Sequence, residues 1–67
     1  MRDQVESAPE TAGLQHGDHV DIHSNGTLRF SGYVDDAMPQ LGIVWVRELL
    51  IGERKMLSTD EYCIVRH

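Results

Sequence analysis

From Gly17 onward, apolar segments of strand length alternate with Gly, Asn, Asp and Pro. Strands bounded by turn residues at such intervals are the signature of a small all-β domain. The first strand is predicted over Asp18–His23. Side chains alternate with period two, so Val20 and Ile22 share one face while His19, Asp21 and His23 share the other. Ser24-Asn25-Gly26 supplies the positive φ of a tight hairpin. A second strand follows over Thr27–Asp35, with Leu28, Phe30 and Val34 in phase and Gly32 between them, where a bend or a close backbone approach is expected. Asp36–Gln40 reads as a loop ended by Pro39. Strand three covers Gly42–Leu50 and strand four Arg54–Ser58. Gly52-Glu53 between them suits a type II′ hairpin that pairs Ile51 with Arg54, Leu49 with Met56, and Arg47 with Ser58. One helical turn capped by Ser58 or Thr59 precedes strand five, Tyr62–Arg66.

Sixty-seven residues allow one domain. A chain this short buries only about 60% of its unfolded surface and commonly needs a disulfide, a metal or association. The single cysteine, Cys63, excludes an internal disulfide and a cysteine-based zinc module. A lone thiol, an N-terminus without a signal-peptide stretch and no run approaching a membrane span point to a cytoplasmic protein without membrane contact. Residues 1–15 read as a flexible acidic arm and 16–67 as the folded domain; docking of the arm through Val5 or Leu14 is the alternative.

The formal charge of −5 is shared between arm and domain. A surface of that sign repels phosphate backbones, and Arg54-Lys55 is the sole basic doublet, so a nucleic-acid partner is not expected.

Five strands with a helical turn before the last is the layout of the SH3-like barrel. Gly17-Asp18-His19-Val20 and Gly32-Tyr33-Val34 resemble the opening strands of KOW, Tudor-like and CAP-Gly modules, a resemblance that spans residues 16–66. It implies a five-stranded antiparallel barrel. Gly26-Thr27-Leu28-Arg29-Phe30-Ser31-Gly32 is similar to an early CAP-Gly strand. Ile51-Gly52-Glu53-Arg54-Lys55 stands where that family carries its Gly-Lys-Asn-Asp-Gly peptide-binding loop. The loose arm before a Gly-Asp opening is similar to type II dihydrofolate reductases, which build their site in a tetrameric pore. Lys55-Met56-Leu57-Ser58 replaces their Val-Gln-Ile-Tyr segment.

Imidazole and carboxylate groups at His19, Asp21 and His23, with His16 nearby, have the chemistry of zinc or nickel ligands. Positions i and i+4 of one strand lie about 13 Å apart, too far for one ion, so this reads as a solvated polar face. Cys63 and His67 are set aside on the same geometry, and neither metal nor cofactor is expected. Cys63 reads as ordinary core material, since no nucleophile elbow accompanies it. The dispersed glycines form no phosphate-binding loop. No catalytic residue is therefore assigned, and the chain is not read as an enzyme.

Leu49, Leu50 and Ile51 are consecutive, so alternation puts large apolar groups on both faces of a hairpin tip. Exposed patches of this kind mark partner or dimer contacts, unless the arm or the Met38–Leu41 loop covers them. On strand three, Val44 and Val46 form the natural core pair opposite Trp45 and Arg47. The scarcity of large residues argues instead for Trp45 as the core anchor. An exposed Trp45 near Tyr33 or Tyr62 would make a groove for peptides or methylated cations. The expected function is a small non-catalytic module that contacts a protein partner or a second copy. Its contact residues are Trp45, Arg47, Leu49, Leu50, Ile51, Arg54, Lys55 and Met56. The alternatives are a nucleic-acid-associated small barrel and an oligomeric enzyme of the type II dihydrofolate reductase kind.

Overall fold

A computed structural model describes residues 13–67; the expected flexible arm lies, apart from its last three residues, outside them. Five strands form one antiparallel sheet: β1 (His19–Ser24), β2 (Thr27–Met38), β3 (Ile43–Glu48), β4 (Arg54–Ser58) and β5 (Cys63–Arg66). Their order across the sheet is β4-β3-β2-β1-β5. Among the described residues no helix is long and apolar enough to cross a membrane.

The β1–β2 hairpin forms as its turn residues dictate. Ser24 pairs with Thr27, and Asn25 (φ 54°) and Gly26 (φ 75°) occupy a two-residue turn with both φ angles positive. The Gly17-Asp18 opening is tied down by Gly17 N–H to the Val34 carbonyl (2.7 Å) and Val34 N–H to the Asp18 carbonyl (2.9 Å). β2 continues past the expected loop at Asp36. An irregularity between Val34 and Asp36 lets Asp36, Ala37 and Met38 pair with Trp45, Val44 and Ile43. A bulge absorbs one unpaired residue and bends the strand, so the polar Asp35-Asp36 pair does not end it. Pro39 does. It opens a 3-10 turn over Pro39–Leu41 that closes on Gly42 in the left-handed region (φ 67°). The single turn expected before the last strand is present: the Ser58 carbonyl accepts from Glu61 and Tyr62 N–H, and Ser58 Oγ accepts from Asp60 N–H at 3.2 Å.

The sheet is open and does not close into the barrel expected from the sequence. The reason lies in its connectivity. β4 and β5 run in the same sense, as the chain of antiparallel pairings requires. Parallel neighbours need a crossover of about a dozen residues or more, and only Thr59–Tyr62 separates these two. So short a link nonetheless draws opposite edges of the sheet toward each other and makes it curl. Its inner face then forms one cluster: Val20 and Ile22 from β1, Val34 from β2, Val44 and Val46 from β3, Leu57 from β4 and Ile64 from β5. Leu14, Phe30, Ala37 and Tyr62 pack on its margins. Residues 13–16 are therefore anchored through Leu14, and the Gly13 carbonyl accepts from Arg66 at 3.0 Å.

The β3–β4 register differs from the expected one by four positions. Arg47 faces Arg54, Trp45 faces Met56, and Ile43 faces Ser58. A two-residue turn would have set Leu57 against Glu48. The observed pairing sets Leu57 against Val44 and Lys55 against Val46, with the Lys55 ammonium 3.1 Å from the Glu48 carboxylate. Burial of the large apolar residue of β4 and pairing of a partly buried charge both favour this register. Leu49–Glu53 become a five-residue loop. It is closed by Gly52 N–H to the Glu48 carbonyl, Glu48 N–H to the Glu53 carbonyl and Arg47 Nη1 to the Gly52 carbonyl, all 2.8–2.9 Å.

Candidate functional site

The residues expected at a contact surface divide into two groups. The first is the β3–β4 loop. Leu50 is 90% exposed and Ile51 66%, while Leu49 and the neighbouring Leu28 of β2 are about half exposed. Phe30 packs on the margin of the core, and a register shift between Ile22 and His23 sets Leu28 opposite His23. With Leu49 and Leu50, Phe30 and Leu28 line a shallow groove of about 350 Å³, bordered by Arg29 and Glu48. A wider hollow of about 680 Å³ lies between the Asn25–Gly26 and Thr59–Tyr62 turns, but it is an open depression framed by turn residues. The smaller groove is where exposed large side chains converge.

The second group lies on the outer face. Val44 and Val46 are fully buried, which places Trp45 outward, half buried, and outside the core cluster. The expectation that Trp45 anchors the core is thus corrected: seven aliphatic residues from all five strands fill the interior without it. Nor does Trp45 open an aromatic groove with Tyr33 or Tyr62. The Arg54 guanidinium lies 3.9 Å over its ring and also pairs with Asp35. That hydrogen bond holds the Asp35 carboxyl below the usual carboxylate range. Met56, opposite Trp45, is 57% exposed. Lys55 points inward between Glu48 and the Phe30 ring, 5.0 Å away.

Elsewhere on the outer face, strand pairing gathers polar side chains that lie far apart in sequence. β1 and β5 are antiparallel, and His67 N–H donates to the His19 carbonyl (2.9 Å) beyond the last ladder pair. The two imidazoles stack, with centroids 4.0 Å apart and planes 7° from parallel. Tyr33 flanks His19 from β2 at 5.2 Å. His67 Nε2 lies 2.8 Å from Asp21 Oδ1, which also accepts from Ser31 Oγ at 2.5 Å. The Ser31 and His67 hydrogen bonds, in that order, hold the Asp21 carboxyl below its ordinary range. His19 Nε2 is buried and has no hydrogen-bond partner. Such a group costs about 1–3 kcal/mol when left unsatisfied.

This cluster is what reasoning along one strand misses. His19 and His23 are indeed too far apart for one ion, but the third group arrives from a neighbouring strand. Only the β1–β5 register, which the sequence does not print, reveals it.

Compared with family models, curated proteins and solved structures, the chain matches none.

Proposed function

We propose that this chain is a small SH3-like interaction module, non-catalytic, that acts through polypeptide contact at the apolar β3–β4 loop, and that its first partner is a second copy of itself. The observation that carries the reading is Leu50, 90% exposed at a loop tip beside Leu49, Ile51 and Leu28. Loop tips ordinarily present polar groups. A domain whose core is seven aliphatic residues has little apolar surface to leave in water. Burial of a Leu or Ile side chain is worth about 1.5–3 kcal/mol, so two such residues per copy supply a credible drive for association. Arg29 and Arg47 border this end of the sheet and, among the described residues, pair with no carboxylate. They form a polar rim around an apolar centre, the usual anatomy of an interface.

The test is solution mass by light scattering over a roughly hundredfold concentration range, for the wild type, Leu50→Asp and Ile51→Asp. Both positions are exposed, so the variants are expected to fold. The wild type is expected to associate and both variants to remain monomeric. Association that survives both substitutions places the interface elsewhere. A wild type that stays monomeric throughout overturns self-association and leaves the surface to a different polypeptide, one with apolar side chains and carboxylates to meet Arg29 and Arg47.

A further inference from the structure

We propose that His19, Asp21 and His67 form a binding site for a divalent transition-metal ion of the zinc type, which clamps β5 onto β1. One ligand atom from each of the three residues falls within a 4.8 Å group. Tetrahedral zinc with bonds of about 2.0–2.2 Å needs its donors about 3.3 Å apart, a contraction within reach of side-chain rotation. Two imidazoles and one carboxylate leave a fourth position for water, a donor set common for zinc.

Three features of the surroundings favour an ion here. His19 Nε2 is already desolvated and has no partner in the protein. Asp21 is held by Ser31 Oγ at 2.5 Å, the kind of outer hydrogen bond that orients a metal-ligating carboxylate. Tyr33 closes one side of His19 and limits where its ring can turn. His67 is the adjustable member, with its side chain 49% exposed. Its ring stacks on His19, and stacked rings cannot both direct in-plane lone pairs at one ion. Binding therefore requires His67 to leave the stack and exchange its 2.8 Å contact with Asp21 for a shared metal. The alternation of β1 puts His19 and Asp21 on one face, and the β1–β5 register brings His67 to them.

Zinc chloride titrated into the full chain, followed by calorimetry and by imidazole NMR, tests this. The expected result is one saturable site, with His19 and His67 resonances shifting while those of His16 and His23 stay in place. His67→Ala and Asp21→Asn are each expected to weaken binding by at least about 10-fold, the lower end of what even an outer-shell loss costs. His23→Ala is expected to bind as the wild type does. Zinc should also raise the melting temperature of the wild type and leave that of His67→Ala unchanged, because only the folded chain holds the site. Absence of saturable binding, or a His67→Ala protein that binds zinc as the wild type does, overturns the proposal. Retained secondary structure by circular dichroism separates ligand loss from misfolding.

Discussion

Arg54 joins three parts of the outer face: its guanidinium covers the Trp45 ring, pairs with Asp35 at the β2 bulge, and stems from the edge strand β4. Because the partnership depresses the Asp35 pKa below the ordinary carboxylate range, the folded state binds its proton less readily than the unfolded one. Asp35 therefore contributes stability that is complete above about pH 4 and lost as pH falls through its lower folded value. Asp35→Asn is expected to be less stable at neutral pH and to lose less on acidification, read from urea unfolding at pH 7 and pH 3. An identical pH dependence in the two proteins would mean that the pair adds nothing. Gly32 makes a second residue-scale case. A methyl group there would collide with the Arg47 carbonyl and come within 2.7 Å of Val46 Cγ1. The neighbouring backbone belongs to the paired strand β3, so it cannot yield cheaply. Gly32→Ala is expected to destabilise the fold by about 1–3 kcal/mol, measured as a shift in the urea midpoint.

The hairpins show what local chemistry decides and what it leaves to packing. Asn25-Gly26 specifies its own turn, and Gly26→Ala should cost about 1–2 kcal/mol because φ is 75° there. Thermal unfolding of that variant provides the check, with an unchanged Tm as the contrary result. The turn was legible from the sequence because both residue types exist for that backbone. Strand four was legible to its ends, as were the two faces of strand one and the phase of Phe30 and Val34, whereas a register shift between Ile22 and His23 pairs Leu28 with His23 and takes it out of that phase. The β3–β4 register was not. Gly52 reads equally well as part of a two-residue turn or a five-residue loop, and the choice rests on where Leu57 and Lys55 find partners across the sheet. The continuation of β2 through Asp36 escaped for a similar reason: a bulge at Asp35 has no residue signature. Of the candidate surface, the exposed Leu49–Ile51 loop could be read from consecutive apolar residues alone. The outward Trp45 required knowing that seven smaller side chains suffice for the core. The His19–Asp21–His67 cluster required the β1–β5 pairing.

At the scale of the whole molecule, an open sheet has two edges, and this one guards them unequally. β5 ends in Arg66, which reaches both Asp18 and the Gly13 carbonyl and so ties its edge to the preceding chain. β4 carries Arg54 and Lys55, charges that discourage indefinite edge-to-edge stacking. Yet it adjoins the exposed Leu49–Ile51 loop and presents Met56 on its outer face. Apolar surface beside a charged edge favours a closed, limited association over a filament. If that association supplies stability the small core lacks, folding and assembly are linked by mass action. Above the dissociation constant, a roughly hundredfold rise in concentration adds up to about 2.7 kcal/mol per dimer, half of it per protomer. At about 4–8 °C per kcal/mol for a domain this small, the wild-type Tm should climb by roughly 5–10 °C. Leu50→Asp should melt at one temperature throughout the range, and near the dilute wild-type value, because its side chain is solvent-facing in the single copy. Concentration-independent melting of both proteins would show that the fold stands on its seven-residue core without help. A Leu50→Asp protein whose Tm still climbs with concentration would move the stabilising contact to the β4 edge itself.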